Sequence, residues 1–351
     1  MYFFYFEPPR WKQLEYSKKQ VIKAGEVIRN KEADKSQHDE AITIIDNWRA
    51  AHAYPLHVFY MNLRRMAGND GKIIVAERLK RLNSIINKLK REPEMNLWRM
   101  QDLGGCRFIV NNLEDVYKYA NKYKNSRIRH QYQRTYDYIK QPKLSGYRSL
   151  HLVYKFHSDK NETYNRNMLI ELQFRTHLQH LWATAVEAMG LFTEESIKSG
   201  YGSDDIKRFF ALISSLFAIE EGMPVVPNTS ESVDELVTEI KKIDKKNKYL
   251  GMLSAIRIAA DNLKIQNQTN KKGYYILILN YNTRRLKLVH YKSNQIEEAN
   301  AQYNMIENDK QYSNIDAVLV QVSTFSTLRA AYPNYFLDIG EFIDKVNYYL
   351  N

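Results

Sequence analysis

From about Leu14 to Ala67 apolar residues recur three and four apart (Val21, Ile28; Ile42, Ile45, Trp48), with many Lys and Arg between them, which predicts helix. Asn69-Asp70-Gly71 marks a turn. Ile73 to Arg91 then reads as a second helical segment, ended by Glu92-Pro93. Three short runs rich in β-branched and aromatic residues predict strands: Cys106 to Val110, His151 to Phe156 and Met168 to Phe174. Thr176 to Gly190 and Asp204 to Glu221 return to a helical pattern. This mixture predicts an α+β core, a small sheet with flanking helices.

The stretch from Gly222 to Glu231 carries two prolines and a polar cluster and is the best domain boundary. A helix is expected from about Ser232 to Gln266. After Lys271-Lys272-Gly273 a smaller unit begins. Tyr274 to Tyr281 and Leu286 to Tyr291 predict a hairpin around Asn282-Thr283, Ser293 to Glu307 a helix, Asp316 to Val322 a strand, and Asp338 to Leu350 a closing helix. The expected division is therefore 1–222, a connecting segment 223–270, and 271–351.

Composition narrows the function classes. The 351 residues are enough for two domains, and 44% hydrophobic content is that of a globular protein. The formal charge of +12 favours a polyanionic partner. One cysteine, Cys106, rules out a disulfide framework and a cysteine-based metal site within the chain, and its Cys-Arg-Phe-Ile-Val context predicts a buried thiol. The apolar start, Met1 to Phe6, is short and runs directly into Glu7, unlike a signal peptide; Phe209 to Ile219 is too short to span a bilayer. A cytoplasmic protein without membrane attachment is expected.

The candidate chemistry lies in four blocks. Arg78, Lys80, Ser84 and Lys88 place cations and a hydroxyl at helical spacing, a stripe that suits a triphosphate. Asp102 precedes Leu103-Gly104-Gly105 and the strand that Arg107 opens, a position suited to a Mg²⁺ ligand. Pro142-Lys143-Leu144-Ser145-Gly146-Tyr147-Arg148 is a cationic turn with one exposed aromatic, Tyr147, running toward His151. Glu171, Gln173 and Arg175 alternate along a strand, so all three share one face. Cations for phosphates plus carboxylates for a divalent metal are what nucleotide pyrophosphate chemistry requires. Between Lys118 and Lys155 lie ten Lys/Arg and a single acid, Asp137, interleaved with tyrosines, a composition that suits RNA.

Taken together, the motifs Arg78-x-Lys80-x-x-x-Ser84-x-x-x-Lys88, Asp102-x-x-x-x-Arg107, Pro142-Lys143-x-x-Gly146-Tyr147-x-Ser149-Leu150-His151 and Glu171-x-Gln173-x-Arg175-Thr176 resemble the RelA/SpoT family of nucleotide pyrophosphokinases over about residues 72 to 190. The resemblance implies a nucleotidyltransferase-like mixed sheet and transfer of the β,γ-pyrophosphate of ATP to a ribose 3′-hydroxyl. It implies that Arg78 and Arg107 sandwich adenine and that Lys80, Ser84 and Lys88 hold phosphates. Lys143 and His151, with Arg148, would neutralise the moving pyrophosphate. Asp102 and Glu171 would hold Mg²⁺, Glu171 would also take the proton, Tyr147 would stack on the acceptor base, and Gln173 and Arg175 would support the site. Two positions depart from the family: Ser145 stands where Asn is usual, and Tyr136 where long members carry a basic residue. No hydrolase domain is visible, and His38-Asp39 has no partner ligands.

The full length is similar to a narrower group, the CapRel-like fused toxin–antitoxins. The carriers are Asn47-Trp48-Arg49, Tyr54-Pro55-Leu56, Leu181 to Glu187, and Ala331-Tyr332-Pro333-Asn334-Tyr335-Phe336. That likeness implies a small C-terminal α/β pseudo-zinc-finger domain without zinc, with Tyr332 and Tyr335 as the autoinhibitory plug. It implies the 3′ CCA end of tRNA as acceptor, with Lys122, Lys124, Arg127, Arg129 and Arg134 as the tRNA surface, and a phage protein, capsid among the candidates, as trigger. Two other readings stay open: a small alarmone synthetase that uses free guanine or adenine nucleotides, and a catalytically silent RNA-binding or sensor protein.

Overall fold

The structure, a computed structural model, describes residues 11–193, 203–254, 273–280, 285–292, 294–308, 315–322 and 339–351. The N-terminal helical stretch is three helices: α1 (Lys18–Arg29), α2 (Lys35–Ala51) and α3 (Ala53–Ala67). Ser17 and Asp34 start the first two with complete capping boxes to Gln20 and Gln37, and Gly68 ends the third.

The expected helix from Ile73 to Arg91 is corrected. Residues Ile74–Leu79 form strand β1, and only Leu82–Arg91 is helical, as α4. The run Ile73-Ile74-Val75 carries the β-branched signal that a helical reading passed over. Downstream come β2 (Gly104–Val110), α5 (Leu113–Lys124), β3 (Gln131–Asp137), β4 (Leu150–Lys155), β5 (Leu169–Thr176), α6 (His177–Thr193) and α7 (Asp204–Glu220). Strand β3 and helix α5 had no counterpart in the sequence reading. The five strands form one mixed sheet in the order β1-β2-β5-β4-β3. Only β2–β5 is parallel; the other pairs are antiparallel.

Alternation divides the sheet. One face carries Val75, Cys106, Phe108, Val110, Leu152, Ile170, Leu172 and Phe174 into a core shared with α1–α5. Cys106 is fully buried, as expected. The other face carries the polar residues considered below. A second core lies among α6, α7 and α8 (Val233–Asn247), and includes Trp182, Phe209, Phe210 and Leu236. The long helix expected from Ser232 breaks at Lys248, which adopts the left-handed conformation (φ 59°) before helix resumes over 249–254.

The C-terminal residues form a three-stranded antiparallel sheet, β7-β6-β8, from β6 (Gly273–Asn280), β7 (Arg285–Tyr291) and β8 (Ile315–Val322). Helix α9 (Ile296–Asn308) packs on it through Tyr303 and Ile306. The hairpin turn at Asn282-Thr283 lies outside the described residues. Strand β8 lies against β1, and Arg49 of α2 meets the Tyr303 ring (5.1 Å) and donates to its hydroxyl (3.1 Å). Helix α10 (Gly340–Leu350) packs elsewhere, burying Phe342, Ile343 and Val346 in the α6–α8 core at ~1.5–3 kcal/mol each. Among the described residues no helix is long and apolar enough to cross a membrane.

Candidate active site

Five residues in register cross the sheet on its polar face: Arg78 (β1), Gly105 (β2), Glu171 (β5), Val153 (β4) and Arg134 (β3). The next row on that face is Ala76, Arg107, Gln173, His151 and Tyr136. Strands lie about 4.8 Å apart, so the backbone of Glu171, on the middle strand, is roughly 10 Å from each edge. A carboxylate thus stands midway between an arginine pair on one side and Arg134 with Tyr136 on the other.

Glu171 belongs to a closed hydrogen-bonded ring. Its Oε1 accepts from Gln173 Nε2 (2.5 Å), and its Oε2 faces His151 Nδ1 at 3.1 Å. Gln173 Oε1 accepts from Arg175 Nη2 (2.6 Å), the same nitrogen donates to the Tyr147 hydroxyl (3.0 Å), and that hydroxyl lies 2.9 Å from His151 Nε2. The ring closes when His151 carries its proton on Nδ1, with Tyr147 donating to Nε2.

The second carboxylate, Asp102, is held from both sides. Lys80 Nζ meets its Oδ2 at 2.8 Å and Lys88 Nζ its Oδ1 at 3.1 Å. The single-helix stripe is therefore corrected: Lys80 sits at the exit of β1, where its backbone N–H donates to Leu103 (2.7 Å), while Ser84 and Lys88 lie one turn apart on α4. The strand–turn–helix brings them onto Asp102 as a bend rather than a line. The glycines after Asp102 have a packing reason, since a Cβ on Gly104 would stand 2.7 Å from Ile170.

Burial pushes the Asp102 carboxyl up, but Lys80 and Lys88 overcome it and hold the group well below the usual carboxylate range. Burial also raises Glu171, and the Asp102 charge adds to this; His151 and Gln173 more than offset both, so Glu171 too is held below its ordinary value. Lys143 feels Glu171, Lys88 and Asp102, and burial lowers its pKa from the usual lysine value. Geometry gathers the four: Lys88 touches Asp102, Glu171 stands opposite Gly105, three residues past Asp102, and Lys143 Nζ lies 5.5 Å from the centre of the Tyr147 ring, whose hydroxyl meets the His151 that faces Glu171. Lys143 is set there by its own loop: Gly146 N–H donates to Lys143 O (2.8 Å), and its ammonium lies 4.3 Å from the centre of the Tyr138 ring.

Other expected residues sit as follows. Arg107 reaches Glu187 of α6 at 3.6 Å. Arg78 lines a small cavity with Trp11, Glu77, Tyr274 and Tyr303. Tyr147 is buried, not exposed, because its hydroxyl closes the ring around Glu171. Arg148 does not join the site. It points to the opposite side of its neighbour Tyr147 and is 3% exposed, donating to Ser214 Oγ (3.1 Å), Ile139 O (3.0 Å) and Pro224 O (2.6 Å). Tyr332 and Tyr335 lie outside the described residues.

The five expected RNA contacts are spread around the β3 edge. Lys122, Lys124, Arg127 and Arg129 are exposed, with Lys124 Nζ 4.6 Å from the Tyr132 ring and Arg129 paired with Asp159. Helix α5, which carries Lys122 and Lys124, covers the apolar face of the sheet; Arg134 lies on the polar face. A cleft of about 590 Å³ beside Arg134 and Val153 is walled by the 92–101 loop. The tyrosines that the sequence reading took, with these cations, as a surface for RNA bases include Tyr136, on β3, and Tyr138, in the turn just past its end.

Residues 77–196 match the family described as "Region found in RelA / SpoT proteins". The chain is 35% identical over 117 residues to GTP pyrophosphokinase YwaC of Bacillus subtilis (strain 168), a stretch covering 30% of this chain and 52% of that protein. It is 32% identical over 114 residues to GTP pyrophosphokinase YjbM of the same organism, covering 31% and 52%. The chain spans about half the length of the curated relatives it matches. Among solved structures, small alarmone synthetase 2 from Bacillus subtilis is similar at a TM-score of 0.43 and 22% identity, over 50% of this chain and 94% of that one.

Proposed function

We propose that the protein is an ATP-dependent pyrophosphokinase of the RelA/SpoT kind whose acceptor is the 3′-hydroxyl at the CCA end of tRNA. One observation carries the reaction class: two ionised carboxylates and the cations Lys80, Lys88 and Lys143 converge beside a strand row with Arg78 at its end. The family match over residues 77–196 and the two pyrophosphokinase relatives support the same class.

Arg78 and Arg107 would bracket the donor base, and stacking of a guanidinium on a ring is worth ~0.5–2 kcal/mol per face. Lys80, Lys88 and Lys143 neutralise the phosphate chain, and Ser84 offers a hydroxyl to it. The acceptor oxygen bonds to the β-phosphorus, the bond from that phosphorus to the α–β bridging oxygen breaks, and AMP leaves. Glu171 takes the hydroxyl proton. General-base assistance of this type contributes about 10²–10⁴-fold. His151, Tyr147, Arg175 and Gln173 hold the carboxylate in place and ionised.

The donor set fits Mg²⁺. Asp102 and Glu171 are both ionised and repel one another, and Mg²⁺ takes one or two carboxylates with substrate phosphates and water. No cluster of three or more His, Cys, Asp or Glu stands ready to hold a metal among the described residues, so phosphate oxygens would complete the shell. The ion would supply charge neutralisation on the transferred pyrophosphate.

The tRNA acceptor is favoured by the +12 charge and by the exposed cations around β3. Restraint by the C-terminal residues, lifted by a phage protein, completes the proposal. Its support is the packing of β8 on β1, which carries Arg78, and of α10 on α6, which carries Glu187. In the sequence, Tyr332 and Tyr335 fall between β8 and α10. Holding the active form near 1% takes only about 2.7 kcal/mol, half of the 1:99 to 99:1 swing. The test is incubation with ATP labelled in its γ-phosphate, with tRNA and guanine nucleotides in competition, for the wild type, Glu171→Gln and a Tyr332→Ala/Tyr335→Ala double variant. Label in tRNA, enhanced in the double variant and absent with Glu171→Gln, is expected. Label only in free nucleotides would establish the alarmone synthetase reading instead, and no transfer at all would leave the silent sensor.

A further inference from the structure

Helix α7 buries an unbroken run from Phe209 to Ala218, and in its middle stand two hydroxyls, Ser214 (2% exposed) and Ser215 (0%). A hydroxyl inside an apolar core is costly unless it is bonded. Both serines bond outward, and to different segments. Ser215 Oγ accepts from the Val226 N–H (2.9 Å) and lies 2.7 Å from Thr229 Oγ1, so it holds the connecting segment that follows α7. Ser214 Oγ donates to Gly146 O (2.6 Å) and accepts from Arg148 Nε (3.1 Å). Its hydroxyl is used in both directions, and both partners flank Tyr147, directly after the turn that carries Lys143.

That turn is weakly closed by its own bonds. The Gly146 N–H donates to Lys143 O (2.8 Å), but the Lys143 N–H reaches Tyr147 O only at 3.4 Å, longer than a usual N–H···O bond. Leu144, at the tip, is exposed. Gly146 has φ at +88° and the rotational freedom of a residue without a Cβ. It rests directly on α7, where an added Cβ would stand 2.9 Å from both Ser214 and Trp182. The bond from Ser214 therefore fixes the plane of the peptide joining Gly146 to Tyr147. Lys143 lies on one side of that peptide, its ammonium 4.3 Å from the Tyr138 ring centre. Tyr147 lies on the other, with its hydroxyl in the ring around Glu171. Rotation of this one peptide would displace both.

Building on the pyrophosphokinase reading, we infer that Ser214 is a positioning residue: its hydroxyl clamps the Gly146 peptide to α7 and so sets Lys143 against the transferred pyrophosphate. Ser214 lies beyond residues 77–196, so part of the hold on the active-site turn comes from outside the matched stretch. Ser215, one residue on and equally buried, faces the connecting segment and supplies the control.

The experiment compares Ser214→Ala with Ser215→Ala in the full chain, and again on the Tyr332→Ala/Tyr335→Ala background. It measures initial rates of labelled pyrophosphate transfer to tRNA and to GDP, thermal unfolding, and hydrogen exchange of peptides spanning 139–150 and 222–231. Both variants should lose a comparable amount of Tm, since each removes one buried, bonded hydroxyl. Ser214→Ala should lower kcat roughly 5- to 100-fold, the range expected when a reacting group is misplaced, with ATP KM within about twofold. Ser215→Ala should keep kcat within about twofold of the wild type. Exchange should quicken over 139–150 in the first variant and over 222–231 in the second. On a Lys143→Ala background, Ser214→Ala should cost no further kcat, because both changes remove one contribution. Equal kcat losses in the two serine variants, a wild-type kcat in Ser214→Ala, or additive losses with Lys143→Ala would each overturn the positioning role and leave the reaction class standing. Transfer to neither acceptor by any form of the chain overturns the reaction class, and the role of Ser214 falls with it.

Discussion

Replacing Tyr147 by Phe separates two roles for one residue. A ring that stacks on the acceptor base would hardly notice loss of the hydroxyl. In the structure the hydroxyl is the junction of the ring around Glu171, 3.0 Å from Arg175 Nη2 and 2.9 Å from His151 Nε2. A hydrogen bond to a charged group is worth ~1.5–3 kcal/mol and one between neutral groups ~0.5–1.5 kcal/mol. Both partners are buried, so removing the hydroxyl should cost about 2–4 kcal/mol of stability. His151 would lose the partner that fixes its orientation toward Glu171, and kcat should fall at least about tenfold, equivalent to ~1.4 kcal/mol. Acceptor KM should change little. Urea denaturation and initial rates of labelled pyrophosphate transfer read both effects. A Tyr147→Phe protein with wild-type stability, kcat and acceptor KM would show that the ring is not a working network and would return Tyr147 to base stacking.

Arg148→Ala should lower stability by about 3 kcal/mol through unpaired carbonyls at Ile139 and Pro224, seen by thermal unfolding, while the ATP KM of the folded fraction stays within twofold. Gly146→Ala should cost ~1–3 kcal/mol and disturb the Lys143 loop, because φ is +88° there and a Cβ would stand 2.9 Å from both Ser214 and Trp182. Burial lowers Lys143, with Glu171 offsetting only part of it, so its charge is lost at lower pH than a surface lysine's. Activity should therefore decline early on the alkaline side, and Lys143→Arg, which keeps its charge, should move that limb to higher pH. Stability responds with the opposite sign: the unfolded lysine keeps its proton to higher pH, so this group makes the fold more stable as pH rises between the two values. Alkaline limbs that coincide in wild type and Lys143→Arg would remove Lys143 from the mechanism.

Local pattern alone was enough for much of the framework. Strands β2, β4 and β5, the helices α6 and α7, and the Glu171-Gln173-Arg175 alternation follow from side-chain periodicity, which is a property of consecutive residues. The same holds for the ion pairs of Asp102 only in part, since residue type announced the carboxylate and the lysines but not their meeting. Ile74–Leu79 defeated the local reading because its pairing partner, β2, lies some thirty residues on, and the neighbouring α4 supplied an overriding helical rhythm. Tyr147 and Arg148 show the same limit from the other direction. Adjacent residues in an extended turn face opposite ways, and which side meets the carboxylates and which meets Ser214 is set by α7 packing behind the loop. Residue chemistry thus specified what kinds of groups the site contains; sheet register, a long-range property fixed by strand pairing, decided that Arg78, Glu171 and Arg134 stand in one row with Tyr136 in the next.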